Sequence, residues 1–493
     1  MNYDLVIIGS GPTGLSIAHH CSKLGNKKIL IIEKEKDIGG CHTVYRTNGL
    51  FSEHSPRVYL NSYVNFIEIL KDMNLQFDDI FVKMNHQSFD ITKESLLKKL
   101  NINEWFCVIY ELVLFILDST RNDNITVSTF MKNNQFSEEA YKTIDILCRV
   151  SDGMTSESIS LNTFFKYMNQ VLLYQIYTPK ETNDKLLFKL WREYLINNGV
   201  EIITEANLNR FYHDDQNEIT HCDIKISENT NRTIYGKKFI LAIPPKNIVS
   251  LIENTGVINA FGDIDKLKKW SDSTKYIEYI TVTFHWNKVI KMSEKYSFPS
   301  SDWSILTETL SDYIDFKDKR SKTVISVAVA NLNVKSKYSN KTANEYKNSD
   351  LLIKEIYRQI KESKPELTDD YIAILEPSTI YKDDKWQMKG TAYVSNIFTK
   401  PISFHSQIYT NLYNAGTHNG KSYFKPTTLE SAVSNGLELS RELFPEIKTK
   451  QKRGYSLRDL IVIILIFVLC LIVSYIMYII RGRVHNLNNF DFL

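Results

Sequence analysis

A chain of 493 residues is long enough for about two or three domains with large cores. Its 60 basic and 57 acidic residues leave a formal charge of +3, which gives no case for a nucleic-acid partner, and 43% hydrophobic content is ordinary for a globular protein. Six scattered cysteines without a C-x-x-C pair read as reduced thiols. The eleven histidines show no ligand spacing and no G-x-S-x-G elbow is present, so metal and serine-hydrolase chemistry are set aside.

The first predicted elements lie in "YDLVIIGSGPTGLSIAHH", Tyr3 to His20. Leu5–Ile8 is a short β-branched apolar run and reads as a buried strand. Gly9, Gly11 and Gly14, with Ser10, Pro12 and Thr13 between them, spell G-x-G-x-x-G. A helical pattern then runs from Thr13 to Leu24, and Gly25 stands where a C-terminal glycine belongs. Such glycines let the turn bend and bring its backbone close to a pyrophosphate, whose charge a helix N-terminus stabilises. A second strand, "KILIIE", ends in Glu33, 19 residues beyond Gly14, the spacing of a carboxylate that bonds ribose hydroxyls. The acid disfavours a 2′-phosphate, which leaves NAD or FAD.

Beyond Glu33 the chain reads "KEKDIGGCHTVYRTNGLFSEHSPRVY", beginning at Lys34 and carrying Gly39, Gly40, Cys41 and His42. On these residues the sequence resembles the flavin amine oxidase and protoporphyrinogen oxidase superfamily. Members follow the acid with a Gly-Gly-Arg element touching the FAD diphosphate and ribityl chain; here Cys41 replaces the arginine. "FSEHSPRVY" is similar to the E-x-G-P-R segment beside the flavin ring, with Ser55 for the glycine and Pro56 and Arg57 matching.

Further along, Trp105–Leu117 ("WFCVIYELVLFIL") is too short to span a bilayer, is interrupted by Glu111, and reads as a buried helix. Val127–Ser160 is similar to the helical part of the family's substrate domain. Lys189–Phe211 resembles the helix–strand segment whose backbone contacts adenine, which places Leu208 at that contact. "KKFILAIPPKNI" resembles the strand closing the FAD domain, with Ala242, Ile243, Pro244 and Pro245 as its signature. Polar Lys337–Asp350 reads as an exposed loop. Leu412–Leu443 resembles the C-terminal FAD motif: Gly416 and Thr417 would meet the diphosphate. A helix from Thr428 and Leu429 would point its positive end at the flavin carbonyl O2.

The resemblance implies an α/β fold: a Rossmann-like FAD-binding domain interleaved with an α+β substrate domain of mixed sheet and helices. The expected partition is 1–80, 200–265 and 395–445 for FAD, and 81–199 and 266–394 for substrate. A basic linker 446–459, a transmembrane helix 460–480 and a short tail 481–493 complete it. It also implies hydride transfer from a small-molecule substrate C–H to flavin N5, with O2 as the usual acceptor. Tyr409–Ala415 has no cysteine, so FAD is expected to be non-covalent.

Two departures bear on the substrate. Thr428 stands where monoamine-type oxidases place a tyrosine, leaving Tyr393 and Tyr423 as candidates for an aromatic wall. "KYIEYITVTFHW" has no lysine between Tyr279 and Thr283, and Lys275 comes several residues early. Three readings stay open: an amine oxidoreductase, an oxidase or isomerase of a lipophilic substrate like the protoporphyrinogen oxidases, and a non-catalytic FAD-binding membrane protein.

Leu460–Ile480 is 21 uncharged residues, enough at about 1.5 Å per residue to cross a hydrocarbon core of about 30 Å. Lys448, Lys450, Lys452, Arg453 and Arg458 precede it, while Arg481 and Arg483 follow. The heavier basic flank predicts a single-pass tail anchor with the body in the cytosol, and the N-terminus shows no signal peptide.

Overall fold

The computed structural model describes residues 2–84, 99–227, 230–292, 301–388, 393–394 and 396–487. The chain opens with β1 (Leu5–Ile8), α1 (Pro12–Ser22) and β2 (Ile29–Ile32). Helix α1 stops at Ser22, and Gly25 takes a left-handed turn at φ 71° with its N–H on the Ser22 carbonyl. A hairpin, β3 (Val44–Thr47) and β4 (Leu50–Glu53), and then α2 (Val64–Asp72) follow. Next come α3 (Ile102–Leu117), α4 (Val127–Asn133), α5 (Glu138–Asp152) and α6 (Leu161–Leu173). Each opens on a side-chain cap, from Asn101, Thr126, Ser137 and Ser160 in turn, which satisfies first-turn N–H groups and sets where the helix begins.

Helix α7 (Leu187–Asn197) leads into β5 (Val200–Ile203) and an antiparallel meander of β6 (Asn207–His213), β7 (Ile219–Ser227) and β8 (Thr230–Gly236). Then come β9 (Phe239–Leu241), α8 (Pro245–Asn254) and α9 (Ile264–Ser273), followed by β10 (Ile280–Trp286), β11 (Ile305–Thr309) and β12 (Thr323–Val329). The last elements are α10 (Ser349–Ser363), β13 (Ile372–Leu375), β14 (Leu412–Asn414), α11 (Leu429–Leu443) and α12 (Leu457–Leu487).

The central sheet is parallel, in the order β14-β9-β1-β2-β5. Its strands alternate between two cores because successive side chains point to opposite faces. Leu5, Ile7, Ile29 and Ile31 pack against α1, α2, α7 and α11, while Val6, Ile8, Leu30 and Ile32 pack against the meander, α8 and α9. A second, antiparallel sheet, β11-β12-β10-β13, buries Ile280, Val282, Phe284 and Trp286 against α10. This is a Rossmann-like α/β layer with an α+β companion.

Two expectations change. Trp105–Leu117 is helical but not buried: of α3 only Glu104 and Phe115 are, and a whole apolar face is open. Residues 337–350 are mostly exposed, yet they include a 3-10 turn at Ala343–Glu345 and the start of α10, because Thr342 and Asn348 act as caps. Within α12, Leu457–Ile480 is long and apolar enough to cross a membrane and is buried nowhere.

Candidate functional site

The three fingerprint glycines do different work. A Cβ on Gly14 would lie 2.1 Å from the Gly9 carbonyl oxygen, and one on Gly9, at φ 104°, would lie 2.6 Å from that of Ala242. These two close the turn. A Cβ on Gly11 would meet only the Gly40 Cα, at 4.0 Å, so a cradle is open in front of its backbone. Gly11 is also the N-cap of α1. It offers no side-chain acceptor, and Pro12 occupies the first helical position, so the helix's positive end borders the same space.

Glu33 ties the surrounding loops together. Its Oε2 accepts from Ser10 N at 2.8 Å and Ser10 Oγ at 2.6 Å, and its Oε1 accepts from Glu35 N at 2.9 Å. A carboxylate oxygen has two lone pairs, so Oε1 keeps an acceptor position. Ala206 N donates to the Glu33 carbonyl at 2.9 Å, which brings the start of β6, and with it Leu208, alongside the acid. Gly39 N donates to the Ser10 carbonyl at 3.0 Å, joining Gly39-Gly40 to the fingerprint; both sit at positive φ. Lys34 is exposed and pairs with Glu35.

Helix α11 closes over α1. Thr13 Oγ1 donates to the Ala432 carbonyl, Ser16 Oγ donates to that of Val433, and Gly436 lets the helices meet. Thr428 is the N-cap of α11, and Leu429 is buried behind it. Glu430 reaches the N-terminus of α2, accepting from Asn65 N, Asn65 Nδ2 and Phe66 N; burial raises its carboxyl to about 7 against those bonds. Ala415 N donates to Leu241 O and Gly416 N to Asn419 Oδ1, so Gly416-Thr417 starts at the carboxyl end of β14, beside β9 and its Ala242–Pro244 extension.

Tyr393 is buried, with its ring edge-on to His418 and Tyr276. Tyr423 is 61% exposed and is not brought to that group. Lys275 is exposed in a two-residue strand paired with Tyr393–Val394, apart from β10.

A set of buried polar groups escaped the sequence reading. The segment after β4 lies on the second sheet: Thr281 Oγ1 donates to the His54 carbonyl, and His285 Nε2 donates to that of Phe51. Here Ser52 Oγ, Glu53 Oε1, His54 Nε2, Thr283 Oγ1 and Glu308 Oε1 are buried without a partner among the described residues. Burial lifts Glu53 to about 7 against the nearby Arg57, and burial with the Glu53 charge lifts Glu308 to about 8. Desolvation holds His54 down to about 3 and His42 well below the ordinary range. Arg57 donates to the Cys41 carbonyl, His42 Nδ1 meets Tyr59 Oη, Ser55 is buried and Pro56 is half-buried. Ser52, Glu53 and His54 lay inside the recognised FSEHSPRVY segment, but nothing local signalled their burial. Glu308 gave no signal, since nothing local distinguishes it from a strand-surface acid.

A cleft of about 490 Å³ lined by Arg46, Phe51, Lys185, Phe316, Lys319 and Arg320 opens beside the hairpin. It contains none of the fingerprint residues and does not mark the dinucleotide position. The open cradle at Gly11, the uncapped α1 terminus, the spare Glu33 acceptor and the unpartnered polar atoms near Arg57 together fit FAD.

Residues 7–73 match the family model of the NAD(P)-binding Rossmann-like domain. No curated protein matched the sequence. Among solved structures, putrescine oxidase bound to putrescine is similar at TM-score 0.60 and 12% identity, covering 90% of this chain and 99% of that one. Cyclohexylamine oxidase from Brevibacterium oxydans is similar at 0.59 and 11%, covering 91% and 100%. A protoporphyrinogen oxidase-like protein of Exiguobacterium sp. is similar at 0.54 and 14%, covering 90% and 99%. At such identities the likeness is one of fold alone: the chain is folded like these oxidases, and its N-terminal residues 7–73 are similar to the Rossmann-like model.

Proposed function

We propose that the chain is a membrane-anchored, FAD-dependent oxidoreductase that takes hydride from a C–H bond of a small molecule, an amine being the leading class and O2 the acceptor. The observation that carries this reading is the joined loop set: the open Gly11 cradle, Gly39-Gly40 and Glu33, held in one hydrogen-bonded unit inside an oxidase fold. FAD, when bound, supplies the hydride acceptor at N5. The protein's part is to hold and orient it. In this reading Glu33 accepts from the ribose hydroxyls, and Leu208 borders the adenine. Gly11, Gly40, Gly416 and Thr417 surround the diphosphate, and Ser55, Pro56 and Arg57 flank the ring. The positive end of α11 at Thr428 and Leu429 faces the carbonyl O2. The partition into interleaved FAD and substrate stretches belongs to the same reading, as does anchoring through α12 with the body in the cytosol.

The segment Ser55-Pro56-Arg57 and the apolar α12 favour a second reading, a lipophilic substrate of the protoporphyrinogen oxidase kind. Anaerobic mixing of the purified full-length protein with amines and with lipophilic donors separates the two by which class bleaches the flavin band. Failure of both, with no H2O2 in air, leaves a non-catalytic flavoprotein. Acid precipitation should release all yellow colour, because FAD is non-covalent. Glu33→Ala should weaken FAD binding by about 1.5–3 kcal/mol, read by flavin retention on dilution, since a charge-assisted acceptor is lost. Full retention would remove the ribose role.

A further inference from the structure

We infer that α3 is a second membrane contact, its open apolar face lying in the interface of the bilayer that α12 enters. This rests on the reading of α12 as an anchor. Ile102, Phe106, Ile109, Tyr110, Val113 and Leu117 recur at helical spacing and are all exposed, Ile102 at 84% and Phe106 and Leu117 at 69%. The opposite face, Trp105, Val108, Leu112 and Phe115, packs on α4–α6. Neither acid of α3 reaches the open face. Glu104 is buried, accepting from Asn101 N and Ser137 N, and Glu111 is occupied by Arg121 and Asn122. An uncharged apolar stripe of this extent on a folded body marks a contact surface.

The position of α12 says what covers it. The segment before α12 is fastened to the body rather than hanging free: Lys452 N donates to Asn65 Oδ1 at 2.7 Å, and Asn65 Nδ2 donates to the Lys452 carbonyl at 2.9 Å. Tyr174 Oη donates to the Tyr455 carbonyl, and Leu457 N donates to Asn169 Oδ1 of α6. Helix α12 therefore leaves the body at a set place, and it is in contact with α3. Exposed Leu172 on α6 and Tyr455 add to the apolar surface around that exit. A bilayer that receives α12 therefore meets the open face of α3. With 16 residues, α3 reaches about 24 Å, short of a hydrocarbon core of about 30 Å, so it lies along the surface.

The test uses the native full-length protein in phosphatidylcholine vesicles that contain a phospholipid with a diazirine in its acyl chain. After illumination, lipid adducts are mapped by mass spectrometry. We expect adducts on α12 and on Phe106, Ile109, Tyr110 or Val113, with α3 labelled at least about tenfold above α10, whose exposed Leu351 controls for chance contact. Adducts on α12 with α3 no higher than α10 would overturn the inference, a second copy of the chain then being the cover. Absence of adducts on α12 would overturn the anchor itself. The variant carrying Ile109→Glu and Val113→Glu should lose α3 labelling while α12 labelling and the circular dichroism spectrum persist. Unchanged α3 labelling in that variant would also overturn the inference.

Discussion

Helices α1 and α3 invert what their compositions suggest. Helix α1 carries Thr13, Ser16, His19, His20 and Ser22, yet every one of its residues is buried. Helix α3 is largely Ile, Leu, Val and aromatic, yet it buries one face only. The reason is position. Helix α1 lies between the parallel sheet and helices α7 and α11, so each of its faces has a neighbour. Its polar groups are largely answered there: Thr13 and Ser16 by α11 carbonyls, and His19 by Asp72 at 3.0 Å with Tyr194 stacked on its ring. Helix α3 sits at the rim of a helical cluster with a partner on one side. Apolar content measures what a helix could bury, and packing decides how much of it is buried.

The comparison can be broken hardest at the fingerprint. Gly14→Ala drives a Cβ toward a backbone oxygen that cannot move aside, so a loss of at least about 4 kcal/mol is expected, read as a collapsed urea midpoint together with lost flavin. A variant that melts like the parent would show that the turn relaxes. Next, Ile17→Ala in α1 removes a fully buried side chain and should cost about 2–5 kcal/mol in the same denaturation assay.

A third prediction concerns pH. The Glu308 carboxyl goes from an ordinary 4.5 to about 8 on folding, so the folded chain binds its proton more tightly than the unfolded chain. Stability at this site is therefore full below about pH 4.5, falls as pH rises, and levels off above about pH 8. Glu308→Gln should exceed the parent by about 1–3 kcal/mol at pH 8.5, with the gap closing toward pH 4.5. Equal unfolding midpoints at both pH values would mean that the carboxyl is hydrated or paired. The smallest effect is expected from Ile109→Ala on α3, within about 0.5 kcal/mol in detergent solution, because its side chain already faces outward. A cost as large as that of Ile17→Ala would erase the contrast between the two helices.

Much of the Rossmann-like part was legible. Leu5–Ile8 and the strand ending at Glu33 could be placed because both are short, β-branched and bounded by glycine or charge. Spacing placed Glu33 with the fingerprint, the family resemblance added Gly39-Gly40, and the structure joins Ser10 to both Glu33 and Gly39 by hydrogen bonds. Tyr423 could not be judged, since an aromatic a few residues from an expected place is equally consistent with a wall or a surface; it is at the surface. Nor could the burial of Glu53 and Glu308 be foreseen, because neither acid has a local partner in sequence and their proximity arises from β4 resting on the second sheet.

By itself, then, the sequence determined the local units: strand, glycine turn, helix, second strand and acid, and a terminal helix apolar enough for a bilayer. Those depend on backbone freedom and hydrophobic runs within a few dozen residues. Tertiary structure alone decided what each unit touches. Thr13 meets Ala432 across 419 positions, Asn65 takes up Glu430 and Lys452, and α3 is left with one face uncovered. Such contacts form where the fold brings distant segments together, and whether a side chain is buried depends on the neighbour supplied there.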